Sequence, residues 1–174
     1  MTTGLVNYVL IAALRDKLVM LVLLGAVLSL CLSLFFGGAA IVEQRQFSIV
    51  FAASALRLFG VCGLVLFCVT FIRRAFEHKD IEFLLARPVS RKALVFSFST
   101  GFSFLALILA LFFSAIVYAN VYASTEMPAV ALWALSLCME YIIVINAAFF
   151  FSMVITTTTG ATMAVFGFYI LSRM

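Results

Sequence analysis

Two charged side chains, Arg57 and Glu140, stand inside long apolar stretches of this 174-residue sequence. A guanidinium and a carboxylate at such positions can form a charge-assisted ion pair that joins two helices. The same groups can instead line a polar cavity in which a molecule binds. The sequence therefore indicates either a helix-locking pair or part of a binding site, and both interpretations stay open here.

The composition of the chain indicates an integral membrane protein. Hydrophobic residues make up 67% of the chain and charged residues only 10%, and the mean hydropathy is +1.29. A soluble domain carries roughly 25% charged residues, so a soluble core is excluded. The net charge of +4 comes from basic residues in short loops. It indicates membrane topology rather than nucleic-acid binding.

The apolar runs predict an all-α fold, a polytopic transmembrane helical bundle with four full spans and part of a fifth. The predicted segments are an N-terminal interfacial helix at 1–17, spans at 18–40, 47–72, 90–118 and 128–155, a cytoplasmic helix within 73–89 and a partial span at 161–174. The last apolar run has about 14 residues, fewer than the roughly 20 needed to cross a bilayer. It is either a re-entrant or interfacial piece or the beginning of a span in a longer protein, and we expect the second.

This arrangement places the two charges deep in the membrane. Arg57 lies about ten residues from the outer end of its span, and Glu140 lies about twelve from the outer end of its own. Both are therefore about 15–18 Å deep, where an unpaired charge costs at least about 2.5–3.5 kcal/mol. We expect the two side chains to meet directly, or through Asn146, Ser54 or water.

The first span carries small residues at every fourth position, Gly25, Ser29, Ser33 and Gly37. A stripe of this kind lets a neighbouring helix approach closely, so we expect it to pack against another span.

The cysteines and the single histidine do not indicate a metal or a cofactor. Cys31, Cys62, Cys68 and Cys138 are isolated in apolar runs without a CxxC pair, so we expect them to pack as small hydrophobic residues. A b-type haem within a membrane usually needs two histidines, and the chain has only His78. An intramembrane enzyme is also a poor interpretation, since Glu140 lacks a second acid in a span.

Half of the charged residues fall in one segment, 73–92, which holds nine of the 18. Its basic residues and those near position 15 lie on one predicted side of the membrane, while the other side has only Arg45. The N-terminus and this segment are therefore predicted to be cytoplasmic. Residues 76–86 lack Gly and Pro and predict a helix. Its mixture of apolar and acidic residues favours a protein partner, and the alternative is a solvated loop.

Within this segment, Glu77 is followed by the run 83–91, Phe-Leu-Leu-Ala-Arg-Pro-Val-Ser-Arg. The run resembles the E…LL-(S/A)-(R/K)-P-(V/I)-S-R segment of ABC-2-type transporter permeases, the membrane subunits of ABC exporters. In that family the segment lies between the second and third spans, as it does here. Two features differ. Family members commonly have Gly-Lys where this chain has residues 95–97, and they usually have six spans.

The resemblance implies a multi-pass subunit of the plasma membrane, the inner membrane in bacteria, which is not itself an enzyme. It implies an exporter of two permease chains and two ATP-binding subunits, moving a lipid, glycan, peptide or drug-like compound. ATP and magnesium would be bound by the partner, because this chain has no GxxxxGK[ST] loop. The residues implied to contact the ATPase are Glu77, Asp80, Ile81, Glu82, Leu84, Leu85, Arg87 and Pro88. The alternative is a non-transporting scaffold or anchor subunit.

Overall fold

The computed structural model describes residues 2–15, 17–39, 44–77, 91–121 and 127–174. All of these residues are helical except 155–157 and 174, so the described part contains no strand. The helices are α1 (Thr2–Arg15), α2 (Lys17–Ala39), α3 (Gln44–Glu77), α4 (Arg91–Val121), α5 (Met127–Val154) and α6 (Thr158–Arg173). The all-α prediction is confirmed for this part of the chain.

Three of these helices are long and apolar enough to cross a membrane. The qualifying stretches are Gln46–Glu77 in α3, Lys92–Ala119 in α4 and Ala129–Val154 in α5. This agrees with the prediction of a helical membrane protein. The total number of spans, including the one predicted over α2, stays a prediction.

Two helix boundaries differ from those predicted. Helix α3 continues to Glu77, five residues beyond the predicted end of its span, because no Gly or Pro interrupts the backbone hydrogen bonds there. Glu77 therefore belongs to α3 rather than to a separate coupling helix that begins at residue 76. The remainder of that predicted helix, 78–86, lies outside the described residues. The interruption between the last two helices lies at 155–157, whereas the predicted segments left a gap at 156–160, and α6 begins at Thr158.

The small-residue stripe of α2 packs against α3. A Cβ built on Gly25 would lie 2.9 Å from the Phe59 ring. Ser33 Oγ donates a 2.6 Å hydrogen bond to the Ser48 carbonyl, and Ser48 Oγ donates a 3.1 Å bond to the Ser33 carbonyl. Ser29 is buried and bonds within its own helix, to the Gly25 carbonyl. The surroundings of Gly37 lie outside the description.

The closest approach in this helix pair is made at Gly63 of α3, where a Cβ would overlap Val22 Cγ2. We expect Gly63→Ala to lower the free energy of unfolding by about 1–3 kcal/mol through overpacking. Gly25→Ala should cost less, because the Phe59 ring is 41% exposed and can move aside. Gly38→Ala is the control, since a Cβ there meets nothing within 4 Å. Thermal unfolding in detergent checks the order, and equal melting temperatures for the Gly63 and Gly38 variants would contradict it.

The core lies where α3, α4 and α5 meet. Its aromatic side chains contact one another across the three helices, with ring centroids 5.5–6.5 Å apart, and are Phe67, Phe71, Phe98, Phe102 and Phe149. Helix α1 adds Val9 and Ala13, both fully buried, and the Tyr8 ring contacts the Phe71 ring in a tilted arrangement, with centroids 5.8 Å apart. Helix α1 therefore packs on the bundle. Its predicted position along a membrane surface stays a prediction.

Candidate functional site: a charged cluster between α3, α5 and α6

The structure brings Arg57 of α3 and Glu140 of α5 into direct contact. Arg57 Nε lies 2.9 Å from Glu140 Oε2, and the two side chains are only 19% and 16% exposed. The contact is an ion pair, and Arg57 Nε is buried with no hydrogen-bond partner among the described residues. The Arg57 terminal nitrogen donates instead to Ser136 Oγ, at 3.4 Å. The pair needs no bridging side chain.

Helix α6 completes the cluster from the other side of Glu140. The Tyr169 hydroxyl donates a 2.8 Å hydrogen bond to Glu140 Oε1. A terminal nitrogen of Arg173 lies 3.2 Å from the same oxygen and 3.5 Å from Oε2. The carboxylate of Glu140 is therefore shared between two guanidinium groups and a phenol.

The cluster lies at one level along the helices. Glu140 precedes Ile155, at the α5–α6 turn, by 15 residues, and Tyr169 follows it by 14. At 1.5 Å per residue, both lie about 21–23 Å from the turn. The hydrocarbon core of a membrane is about 30 Å thick. A group about 21–23 Å from the turn therefore lies within the apolar length of α5 and not at its end.

The same turn is attached to α3 through Arg73. The carbonyl of Ile155 lies just past the end of α5, where the last carbonyls have no partner within their helix. The Arg73 guanidinium donates to this carbonyl. A cation at a helix C-terminus is also favoured by the helix dipole. Arg73 therefore links the last turns of α3 to the α5–α6 hairpin.

Tyr141, beside Glu140, holds α3 and α5 at the distance that the ion pair requires. Its side chain is fully buried, and its hydroxyl is 3.2 Å from the Leu56 carbonyl and 3.3 Å from the Arg57 carbonyl. It fits over Gly60, where a Cβ would overlap the tyrosine hydroxyl. Only a glycine at this position leaves room for the ring, so Gly60 and Tyr141 position Arg57 against Glu140.

Aromatic rings accompany both arginines of the cluster. Arg57 Cζ lies 6.0 Å from the centroid of Trp133, and Arg173 Cζ lies 5.9 Å from that of Tyr169. These distances reach the limit at which a cation is attracted to an aromatic face. The rings therefore add modestly to the stabilisation of the two guanidinium groups.

Asn146 belongs to a separate polar group on α4 and α5. Its Nδ2 donates to Ser103 Oγ at 2.9 Å and to the Ile142 carbonyl at 2.8 Å, and its Oδ1 accepts from Ser99 Oγ at 2.5 Å. Of the alternatives expected for Arg57 and Glu140, the structure shows the direct contact, and the Asn146 amide is used by other partners. The exposed Ser54 makes no bridge to the pair in the described structure either.

A half-open cavity of about 340 Å³ borders the cluster between α5 and α6. Glu140, Tyr169 and Arg173 form its polar end, and apolar side chains that include Ile143 and Phe168 form its wall. Arg173 is the most accessible member of the cluster, because its side chain is 48% exposed. A polar molecule that entered this cavity would meet Arg173 first.

The cluster carries an excess of positive charge. Within the described helices the only acidic residues are Glu140 and Glu77, and Glu77 is at the far end of α3. Two guanidinium groups against one carboxylate leave one positive charge, which costs at least about 2.5–3.5 kcal/mol near the centre of a membrane helix unless it is compensated. The described residues offer no group of metal-ligating side chains. The arrangement can hold helices together and can attract an anion.

Among the residues implied to contact an ATPase, only Glu77 lies within the described part of the chain. Glu77 is exposed at the end of α3. The remaining residues implied to contact an ATPase lie outside the described residues, and they are Asp80, Ile81, Glu82, Leu84, Leu85, Arg87 and Pro88. Of the four cysteines, Cys68 is buried, Cys62 and Cys138 are half-buried, and Cys31 is exposed.

Sequence reasoning missed the contribution of α6. Arg173 was treated as the end of an incomplete apolar run rather than as a partner of Glu140. Counting equal distances from the turn at Ile155 would have placed Tyr169 beside Glu140. The tight fit of Tyr141 over Gly60 had no such signal.

Comparisons of this chain with protein-family models, with curated proteins and with solved structures found no match.

Proposed function

We propose that this chain is the membrane permease subunit of an ABC-2-type exporter. The observation that carries the proposal is the run 83–91 with Glu77 before it, which resembles the coupling segment of these permeases. The run lies between α3 and α4, two helices that are long and apolar enough to span a membrane. A motif that lies between two spans, where the family has it, is stronger support than the same residues at another position in a chain.

The packing around Arg73 supports a coupling role for this segment. Arg73 lies in the next-to-last turn of α3, close to Glu77, and its guanidinium donates to the Ile155 carbonyl at the α5–α6 turn. A displacement of the segment by an ATPase would therefore act on α3 and on the α5–α6 hairpin together. That hairpin carries Glu140, Tyr169 and Arg173.

The proposal includes a definite assembly. Helices α2 to α5 are four spans, α6 begins a fifth, and the N-terminus faces the cytoplasm of a bacterial cell. Two permease chains, identical or related, associate with two ATPase subunits that bind ATP and magnesium. This chain itself hydrolyses nothing, and it uses the movement of its partner to carry a substrate outward.

Co-purification in mild detergent tests the proposal. The wild-type chain should retain an ATPase, and Glu77→Lys combined with Leu84→Asp should reduce the retained ATPase at least tenfold without changing the melting temperature. The physical reason is that a reversed charge and a buried carboxylate both oppose docking of the segment. Glu126→Lys is the control for the charge reversal, since it makes the same charge change as Glu77→Lys in a loop predicted on the opposite side of the membrane. If the wild-type chain retains no ATPase, the alternative of a membrane scaffold is favoured.

A further inference from the structure

Both carboxylate oxygens of Glu140 have partners inside the charged cluster, whereas the Arg173 guanidinium has N–H groups that Glu140 does not use. One oxygen of Glu140 faces Arg57 Nε, and the other accepts from Tyr169 and Arg173. Both contacts of Arg173 with Glu140 use a single terminal nitrogen. A guanidinium has five N–H donors, so Arg173 retains donors for a second acceptor.

The charge of the cluster favours an anion as that acceptor. Arg57 and Arg173 together exceed the single negative charge of Glu140 by one, and Arg57 is enclosed while Arg173 is 48% exposed. The uncompensated charge therefore lies on the side of the cavity between α5 and α6. A carboxylate or phosphate group matches the planar donor set of an arginine better than a neutral polar group does.

The wall of the same cavity indicates what the anionic group is attached to. Apart from Ser172, the lining beyond the polar end is formed by three apolar side chains, Ile143, Val144 and Phe168. A volume of about 340 Å³ is sufficient for a small head group together with the first part of an alkyl chain. A molecule with one anionic end and an apolar body would satisfy both parts of the cavity.

We propose that the cavity between α5 and α6 binds the anionic group of an amphiphilic molecule, with Arg173 as the residue that contacts it. Glu140 and Tyr169 are positioning residues that orient the Arg173 guanidinium. Arg57 forms an ion pair with Oε2 of Glu140. The identification of this amphiphile as the exported substrate rests on the proposed function. Binding itself needs no ATPase.

Equilibrium binding of radiolabelled dodecyl phosphate to the purified full-length chain in a neutral detergent tests the proposal. We expect saturable binding that is at least tenfold weaker in Arg173→Gln and only partly weakened in Arg173→Lys. Lys92→Gln is the matched control, because it removes one positive charge at the exposed start of α4, and it should bind as the wild type does. Equal binding by the Arg173→Gln and Lys92→Gln variants would overturn the proposal.

A second variant keeps the test decisive if Arg173→Gln does not fold. Ile143→Trp fills the apolar wall without removing any group of the charged cluster, and Ile143 is 59% exposed, so the helix should tolerate it. We expect this variant to lose binding by tenfold or more. Unchanged binding would overturn the assignment of the cavity.

Displacement experiments identify the recognised part of the molecule. Dodecanol should not displace the label, and inorganic phosphate should displace it at least tenfold less well than dodecyl phosphate. Equal displacement by inorganic phosphate would overturn the amphiphile and leave a simple anion site. Displacement by phosphatidylglycerol would identify a bilayer lipid as the ligand, and its failure would identify a non-bilayer amphiphile. If the wild-type chain binds dodecyl phosphate but retains no ATPase, the proposed function is refuted and the binding site is not.

Discussion

Glu140→Gln is expected to destabilise the protein by about 3–5 kcal/mol, the cost of leaving buried charges without their partner. Arg57→Met should cost less, about 1.5–3 kcal/mol, the range for a hydrogen bond made by a charged group, here the bond from Arg57 to Ser136 Oγ. The reason for the asymmetry is Arg173. Without Arg57, Glu140 keeps Arg173 and Tyr169 and the cluster becomes neutral, whereas without the carboxylate two arginines face each other. Thermal unfolding of the purified variants in detergent measures the difference.

The double variant Arg57→Met with Glu140→Gln makes this prediction sharper. It removes more polar groups than Glu140→Gln alone, yet it returns the cluster to a single positive charge. We therefore expect it to unfold at a higher temperature than Glu140→Gln. Glu77→Gln is the control for the loss of an acid, because Glu77 is exposed at the end of α3. A larger loss of stability from Arg57→Met than from Glu140→Gln would show that Arg173 does not serve as the second partner.

The same variants separate the two roles that the sequence left open for the pair. If Arg57→Met leaves the assembly intact and abolishes transport, the pair takes part in substrate passage. If transport falls only in proportion to the amount of folded protein, the pair serves to join α3 and α5. The contact itself, 2.9 Å between Arg57 Nε and Glu140 Oε2, is compatible with either role.

Gly60→Ala is expected to have the next largest effect, a loss of about 1–3 kcal/mol from overpacking. A methyl group there would overlap the Tyr141 hydroxyl and lie 2.9 Å from Phe113 Cε2. Both neighbours are fully buried, so neither can move aside without moving α4 or α5. The separation of α3 from α5 would also pull Arg57 away from Glu140. Thermal unfolding in detergent measures the loss.

Gly167→Ala is the matched control, because a Cβ at that position of α6 meets nothing within 4 Å. The change should be neutral or stabilise the helix by about 0.5–1 kcal/mol, since alanine is the better helix former. Combining Gly60→Ala with Tyr141→Phe should recover part of the loss, because the overlapping hydroxyl is removed. If Gly60→Ala unfolds at the same temperature as Gly167→Ala, the fit between Gly60 and Tyr141 does not set the helix spacing.

The apolar runs of the sequence were enough to predict an all-helical membrane protein, and three of the predicted spans are helices long and apolar enough to cross a membrane. They were also enough to predict that Arg57 and Glu140 lie at similar depth. Depth follows from counting residues, because a helix rises by a constant 1.5 Å per residue. The stripe at Gly25, Ser29 and Ser33 was recognised for a similar reason, since a spacing of four returns to the same side of a helix.

The ends of the helices and the partners of the polar side chains were harder to predict from the sequence. Hydropathy falls at Arg73, so the predicted span ended there, yet a helix persists until its backbone bonds are interrupted, and α3 reaches Glu77. Asn146 was expected near the ion pair because it is polar and lies within a turn or two of Glu140. It faces Ser99 and Ser103 of α4 instead, because six residues turn a helix by about 600° and so leave Asn146 about 120° around α5 from Glu140.

The sequence by itself determined that this protein is helical and apolar, that two opposite charges lie within its apolar runs, and that a charged segment resembling a permease coupling segment separates two of those runs. The tertiary structure decided that Glu140 has two arginine partners rather than one, and that Tyr141 over Gly60 sets their spacing. The physical reason is that a linear pattern fixes position along each helix. The rotation of one helix against another, and the return of α6 beside α5, depend on how side chains from distant parts of the chain fill space together.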